Sequence, residues 1–370
     1  MARKCYIGMG GKTKEVRSIF LGVDGKAVPV KKAYIGVNGV ARPCFSGVSI
    51  PEYYGKVSGF ATRYKAAAVS FDKVILVAGG LSASNTKLAT AEAINKNFEH
   101  ITVPNLAGAN AGGEAIGAAA GNYAVFCTTG GYGLASVYGQ NFVTSYLTGM
   151  PSASYQPAAV SFNGYALMAG GSTSQTYVVA VDKNLVATKL ADFSKERRKY
   201  TAAQNWGYAL FAGGADKATS ATICYADVDA YDKNLVHTEA PDLSVGRMGA
   251  AGARAGSYAV FSGGGSKSPS SLNGKYMTVD AYSRKLVRTT IENLSARVYE
   301  HAGITLGECA LFAGSAADCY DNRLIKVAVS ASVSNRCNSA AGVIGDYGFF
   351  IGGGGNAYSL ATNTADAFLA

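Results

Sequence analysis

One apolar strand motif recurs seven times along the chain, and it limits what the chain can fold into. The copies are Val74–Gly80, Tyr123–Gly131, Tyr165–Gly171, Tyr208–Gly214, Tyr258–Gly264, Cys309–Ser315 and Tyr347–Gly353. Tyr208-Ala-Leu-Phe-Ala-Gly-Gly214 shows the pattern: an apolar run, then Gly-Gly or a near equivalent. Successive copies end 51, 40, 43, 50, 51 and 38 residues apart. That spacing holds one four-stranded unit per copy, and units of this size arranged radially make a propeller.

The rest of each repeat fits the same plan. An Ala-rich run precedes each copy, as at Ala66–Val69, Ala158–Val160 and Ala202-Ala203. Small side chains suit an innermost strand crowded at an axis, and the next strand, packed on both faces, is more apolar. A variable loop, a third strand, a turn and a fourth strand follow. The turns read Asn95-Lys-Asn97, Gly139-Gln-Asn141, Asp182-Lys-Asn184, Asp232-Lys-Asn234, Ser283-Arg-Lys285 and Asp321-Asn-Arg323. These are the residues tight turns require. The seventh repeat ends at a third strand, Thr364–Ala370, and Tyr53–Phe60 supplies the missing fourth. Closure by this N-terminal strand removes the free edges of the ring.

Residues 1–45 carry a second repeat with a period of 14. Tyr6, Phe20 and Tyr34 align, as do Gly8, Gly22 and Gly36. Gly10-Gly11, Asp24-Gly25 and Asn38-Gly39 are two-residue hairpin signals. The reading is an all-β chain. Residues 1–48 form three small hairpins for attachment or assembly, and residues 49–370 form a seven-bladed propeller.

The Gly-Gly after an apolar strand, the Arg before the next inner strand and the repeat length resemble Kelch repeats over residues 51–370. Kelch repeats commonly carry an outer-strand Trp, and the single Trp of this chain, Trp206, lies elsewhere. The 14-residue units resemble hairpin repeats at the start of tail and baseplate proteins from phages of Gram-positive bacteria. That resemblance implies a virion protein bound to other tail proteins through residues 1–48.

Composition narrows the functions. The net charge is +10. Residues 1–50 hold nine Lys or Arg against Glu15 and Asp24, a net of +7. Such a segment can meet nucleic acid, membrane or an acidic protein, or be simply a solvated hairpin surface; nucleic-acid binding ranks behind the virion, scaffold and enzyme readings. Seven Cys without metal spacing indicate free thiols in a reducing cytoplasm. No signal-peptide core or bilayer-length apolar run is present. The expected route out of a cell is therefore lysis or export on a particle.

No hydrolase elbow, phosphate loop, metalloprotease helix or sialidase turn occurs. His100 and His237 fall on outer strands, and His301 alone lies near the axis. The expectation is a non-enzymatic protein without metal or cofactor. The links between blades carry Arg63, Arg197-Arg198, Arg247, Arg297 and Arg336. With Tyr64, Tyr200 and Tyr299 beside them, they form the candidate binding set, either a guanidinium ring for carboxylate or phosphate or braces between blades. The glycines are read only as strand ends. The loops Leu81–Thr86, Ser172–Gln175, Ala215–Ser220 and Ser266–Lys275 share that face. They suit recognition of a host-surface glycan or protein. The competing readings are an intracellular scaffold for an acidic peptide and a carbohydrate-active or redox enzyme.

Overall fold

The computed structural model describes the backbone of residues 5–9, 12–16, 20–23, 26–29, 32–37 and 40–46. It also describes residues 50–370 apart from 72, 109–111, 132, 152–156, 171–175, 217–220, 222, 267–273, 330–335 and 355–360. The chain divides into two compact units, Met1–Ile50 and Pro51–Ala370.

In the first unit, Cys5–Met9 pairs with Lys12–Val16, Phe20–Val23 with Lys26–Pro29, and Lys32–Val37 with Val40–Ser46. All three pairs are antiparallel. The two-residue connections Gly10-Gly11, Asp24-Gly25 and Asn38-Gly39 lie outside the described residues.

The second unit is a seven-bladed β-propeller of four-stranded antiparallel sheets. The inner strands are Ala67–Phe71, Ala115–Ala120, Ala158–Phe162, Thr201–Gln204, Ala251–Ala255, Ala302–Leu306 and Ala340–Ile344. Blade 7 is completed by Glu52–Val57, which pairs with Ala365–Leu369. The expected closure by an N-terminal strand is thus observed, three residues shorter at its far end than Tyr53–Phe60. Ile75, Val77 and Ile94 of blade 1 pack with Phe349, Ile351, Ala365 and Ala367 of blade 7, so one apolar cluster seals the ring.

Two repeated devices hold the blades. Gly-Gly does more than end a strand. In blade 4, Gly213 and Gly214 have φ of 70° and 113°. A Cβ on Gly213 would lie 2.4 Å from the Arg247 carbonyl of the next link. One on Gly214 would lie 2.8 Å from the Arg198 carbonyl of its own link. The pair is therefore clasped between two links, and Gly214 N–H donates to Arg247 O at 2.8 Å. Blade 7 repeats this with Gly353 N–H and Arg63 O at 2.9 Å. The sequence reading missed this role, because the clasping carbonyls come from the links on either side.

The outer turns place their strain on an apolar residue. Asp232 Oδ1 accepts the N–H groups of Asn234 and Val236 at 2.8 and 2.9 Å. Leu235 takes φ of 64°. Leu185, Leu286, Leu324, Phe98 and Phe142 do the same at their turns. A left-handed non-Gly residue costs about 1–2 kcal/mol. Packing offsets this: Leu235 sits against the cluster of Phe162, Phe193, Phe211 and Tyr231 between blades 3 and 4.

Candidate functional site

The Arg-bearing links approach the axis just before each inner strand. Arg63, Arg197, Arg247 and Arg336 are 0–1% exposed. Arg336 donates to Asp366 at 2.7 Å, to Gly352 O at 2.6 Å and to Thr364 O at 2.9 Å. Arg247 reaches Asp280 at 2.9 Å and Phe261 O at 3.2 Å. Arg197 grips Asp229 and Phe211 O and stacks over Phe193. Arg63 binds Gly79 O, Thr90 O and Glu92. Asp229, Asp280 and Glu92 also accept a backbone N–H from the link, that of Ser194, Ser244 and Ala61 respectively. These guanidinium groups clamp link to blade and present no face to a ligand.

The remaining sequence-predicted residues scatter. Arg198 is half-buried, 3.8 Å from Glu196. Its neighbour Arg197, not Arg198, occupies the position equivalent to Arg247. Arg297 is exposed and donates to Lys275 O, because Val298 fills the clamp position in blade 6. Tyr64 is buried, its hydroxyl on the Asn85 side chain. Tyr200 is buried, and burial pushes its phenol pKa up. Tyr299 is half-buried, its hydroxyl 2.9 Å from Lys199 Nζ. The variable loops divide: Leu81–Thr86 is described, while Ser172–Gln175 and most of Ala215–Ser220 and Ser266–Lys275 lie outside the described residues.

What the links do bring together lies two residues after the clamp position. There stand Lys65, Lys199, Gly249, Glu300 and Asn338; in blade 2 Ala115 takes the place, its N–H donating to Lys65 O at 3.0 Å, with Glu114 just before it, and Gln156, at this position in blade 3, lies outside the described residues. Lys65, Lys199, Gly249, Glu300 and Asn338 have φ between 53° and 62°. Their backbones join into an arc around the axis. Asn338 N–H donates to Glu300 O at 2.6 Å, Glu300 N–H to Gly249 O at 2.8 Å, and Gly249 N–H to Lys199 O at 3.0 Å. Lys65 N–H donates to Asn338 O at 2.8 Å. Several left-handed residues at one place store strain of the kind that functional sites hold.

These residues, with Ala66, Ala115, Ile116, Pro157, Tyr200, Ala250, His301 and Ser339, line a recess of about 190 Å³. All seven blades contribute. Lys65 pairs with Glu114 at 2.6 Å and Lys199 with Glu300 at 2.8 Å. Asn338 Nδ2 donates to the second Glu300 oxygen at 3.0 Å. Burial opposes the Glu300 charge, but Lys199, Asn338 and Lys65 together hold its pKa below the ordinary value. Gly249 makes the arrangement possible, since a Cβ there would lie 2.5 Å from the Tyr299 ring. His301 Nε2 meets Ser262 Oγ at 2.8 Å, and burial pushes its pKa down to about 3. The imidazole is therefore neutral at ordinary pH. His100 and His237 begin outer strands, His237 against Asp229 at 2.6 Å. Among the described residues, no group of three His, Cys, Asp or Glu could hold a metal, and no helix is long and apolar enough to cross a membrane.

Fold and recess together define a seven-bladed β-propeller with a polar recess at one mouth of its axis. Solved propellers share the architecture. One of 523 matching chains, titled "Structure of YjhT", aligns with a TM-score of 0.52 at 11% identity. The alignment covers 73% of this chain and 99% of that one. At that identity the likeness is one of fold. No protein-family model and no curated protein matches the chain.

Proposed function

We propose that this chain is a non-enzymatic binding protein of a phage tail or baseplate. On this reading residues 1–48 attach it to other virion proteins, and the Kelch-like propeller offers its link-and-loop end to a host-surface glycan or protein. The observation that carries the binding reading is the recess. Links from all seven blades meet there, and Lys65, Glu114, Lys199, Glu300 and Asn338 surround a space of about 190 Å³. A concave site with a few convergent polar groups is where ligand recognition is expected. The virion assignment rests on the 14-residue hairpin repeats. The acidic-peptide alternative loses its main support, because the guanidinium groups of Arg63, Arg247 and Arg336 are buried in clamps. A glycan array and host-cell binding with the full chain test the first part; retention on neither would overturn it. Mass spectrometry of purified particles tests the second, and absence of the chain would overturn that part alone.

A further inference from the structure

We infer that the recess takes an uncharged, hydroxyl-rich ring the size of one monosaccharide; this rests on the glycan-binding reading and deepens it. Charge is the first argument. Around the axis the described residues run Lys65, Glu114, Lys199, Gly249, Glu300, Asn338, so opposite signs alternate and cancel. Both lysines already face a carboxylate at 2.6 and 2.8 Å. An anionic ligand would meet Glu114 and Glu300, and a cationic one would meet Lys65 and Lys199. A neutral ligand that both donates and accepts meets neither penalty.

Hydrogen-bonding capacity is the second. Of the three Lys199 ammonium protons, Glu300 and Tyr299 take two. Asn338 spends an amide proton on Glu300, and among the described residues its Oδ1 has no protein donor. Adjacent hydroxyl groups of a sugar supply donor and acceptor together. The His301 imidazole, neutral because burial disfavours its cation, adds no charge to the lining.

Preorganisation is the third. The backbone arc and the Lys199–Glu300–Asn338 contacts fix the lining before a ligand arrives, and a site built in advance loses less on binding. A volume of about 190 Å³ is on the scale of a single sugar ring.

The test is titration calorimetry of the full chain with three ring-matched sets: neutral N-acetylglucosamine, galactose and glucose; anionic glucuronate and galacturonate; cationic glucosamine. At least one neutral sugar should bind about tenfold more tightly than any charged one. Asn338→Ala, which changes no charge, should weaken that binding about tenfold, and Glu300→Gln by at least as much. Melting curves establish that each variant is folded; Asn338→Ala carries the test if Glu300→Gln does not fold. Equal or tighter binding of a charged sugar, no binding of any neutral sugar, or unchanged affinity in folded Asn338→Ala would each overturn the inference. Glycan-array signals that survive Asn338→Ala would also overturn it, while leaving the broader proposal standing on the loops.

Discussion

Blades 4, 5 and 7 and blades 2 and 3 solve one packing problem in two ways. In the first group a buried Asp stands on the third strand opposite a Phe: Asp229 opposite Phe211, Asp280 opposite Phe261, Asp366 opposite Phe350. Each is gripped by a buried Arg from its link. In blades 2 and 3 the same position holds Ser136 and Val179, opposite Phe126 and Met168. Ala118, Val125, Cys127, Met150, Met168 and Val179 form an apolar seam there. Blade 6 is intermediate: Asp318 remains, but Lys326 and Ser295 hold it. Blade formation therefore does not need the ion pair. A buried pair is weak evidence for stability, and breaking one half is costly. What the pair adds is a fixed path for the link, since the same carboxylates accept the Ser194 and Ser244 N–H groups.

The most severe test removes residues 1–60. Blade 7 keeps its Arg336–Asp366 clamp but loses Glu52–Val57 and leaves Ala365–Leu369 as an open edge. Loss of a single cooperative melting transition is expected, with aggregation visible in light scattering. Survival of one sharp transition would show that the clamp alone holds a blade.

Next in size, Asp280→Ala strands the Arg247 guanidinium and should cost about 3–5 kcal/mol in denaturant unfolding. The double variant Arg247→Met/Asp280→Leu converts blade 5 to the chemistry of blade 3. It should recover most of that loss, and failure to recover would mean that the clamp is indispensable in its own blade.

A pH effect comes third. Unfolded His301 takes a proton near pH 6.5, whereas the folded site resists until about 3. The unfolded state binds more protons between those values. Stability should therefore fall as pH drops from 6.5 toward 3, by up to about 1.4 kcal/mol per unit. Chemical denaturation across this range should show a shallower slope in His301→Gln.

The smallest effect concerns ties between blades. Tyr231 Oη donates to Ala191 O at 2.6 Å and Tyr282 Oη to Pro241 O at 2.8 Å, while blade 7 carries Phe368 instead. Tyr231→Phe should lose about 1 kcal/mol, measured by thermal melting.

Much of this architecture was legible in the residues. Seven apolar runs ending in small residues marked the second strands, and the short last repeat pointed to Tyr53–Phe60, which overlaps the observed strand Glu52–Val57. The clamps were only half visible. Their arginines stood out in the links, but the acids did not. Val228-Asp-Ala-Tyr231 and Val279-Asp-Ala-Tyr282 did carry the signal, because an Asp amid apolar strand residues must find a partner. The recess was less legible. Lys65, Lys199, Glu300 and Asn338 look like ordinary surface residues, and no propensity places Lys or Glu at positive φ. Only closure of the ring turns them toward one another.

Closure also sets a timetable. Tyr53 and Asp366, joined by a hydrogen bond in blade 7, are 313 residues apart. At ordinary synthesis rates the N-terminal strand waits on the order of tens of seconds for its partner. Blades 1 to 6 can assemble during that interval, each from consecutive strands. The last blade cannot form until Ala365–Leu369 has emerged from the ribosome. A prematurely terminated chain therefore displays an unsatisfied strand at both ends of its arc, an open state that quality-control proteases can recognise before any ligand site exists.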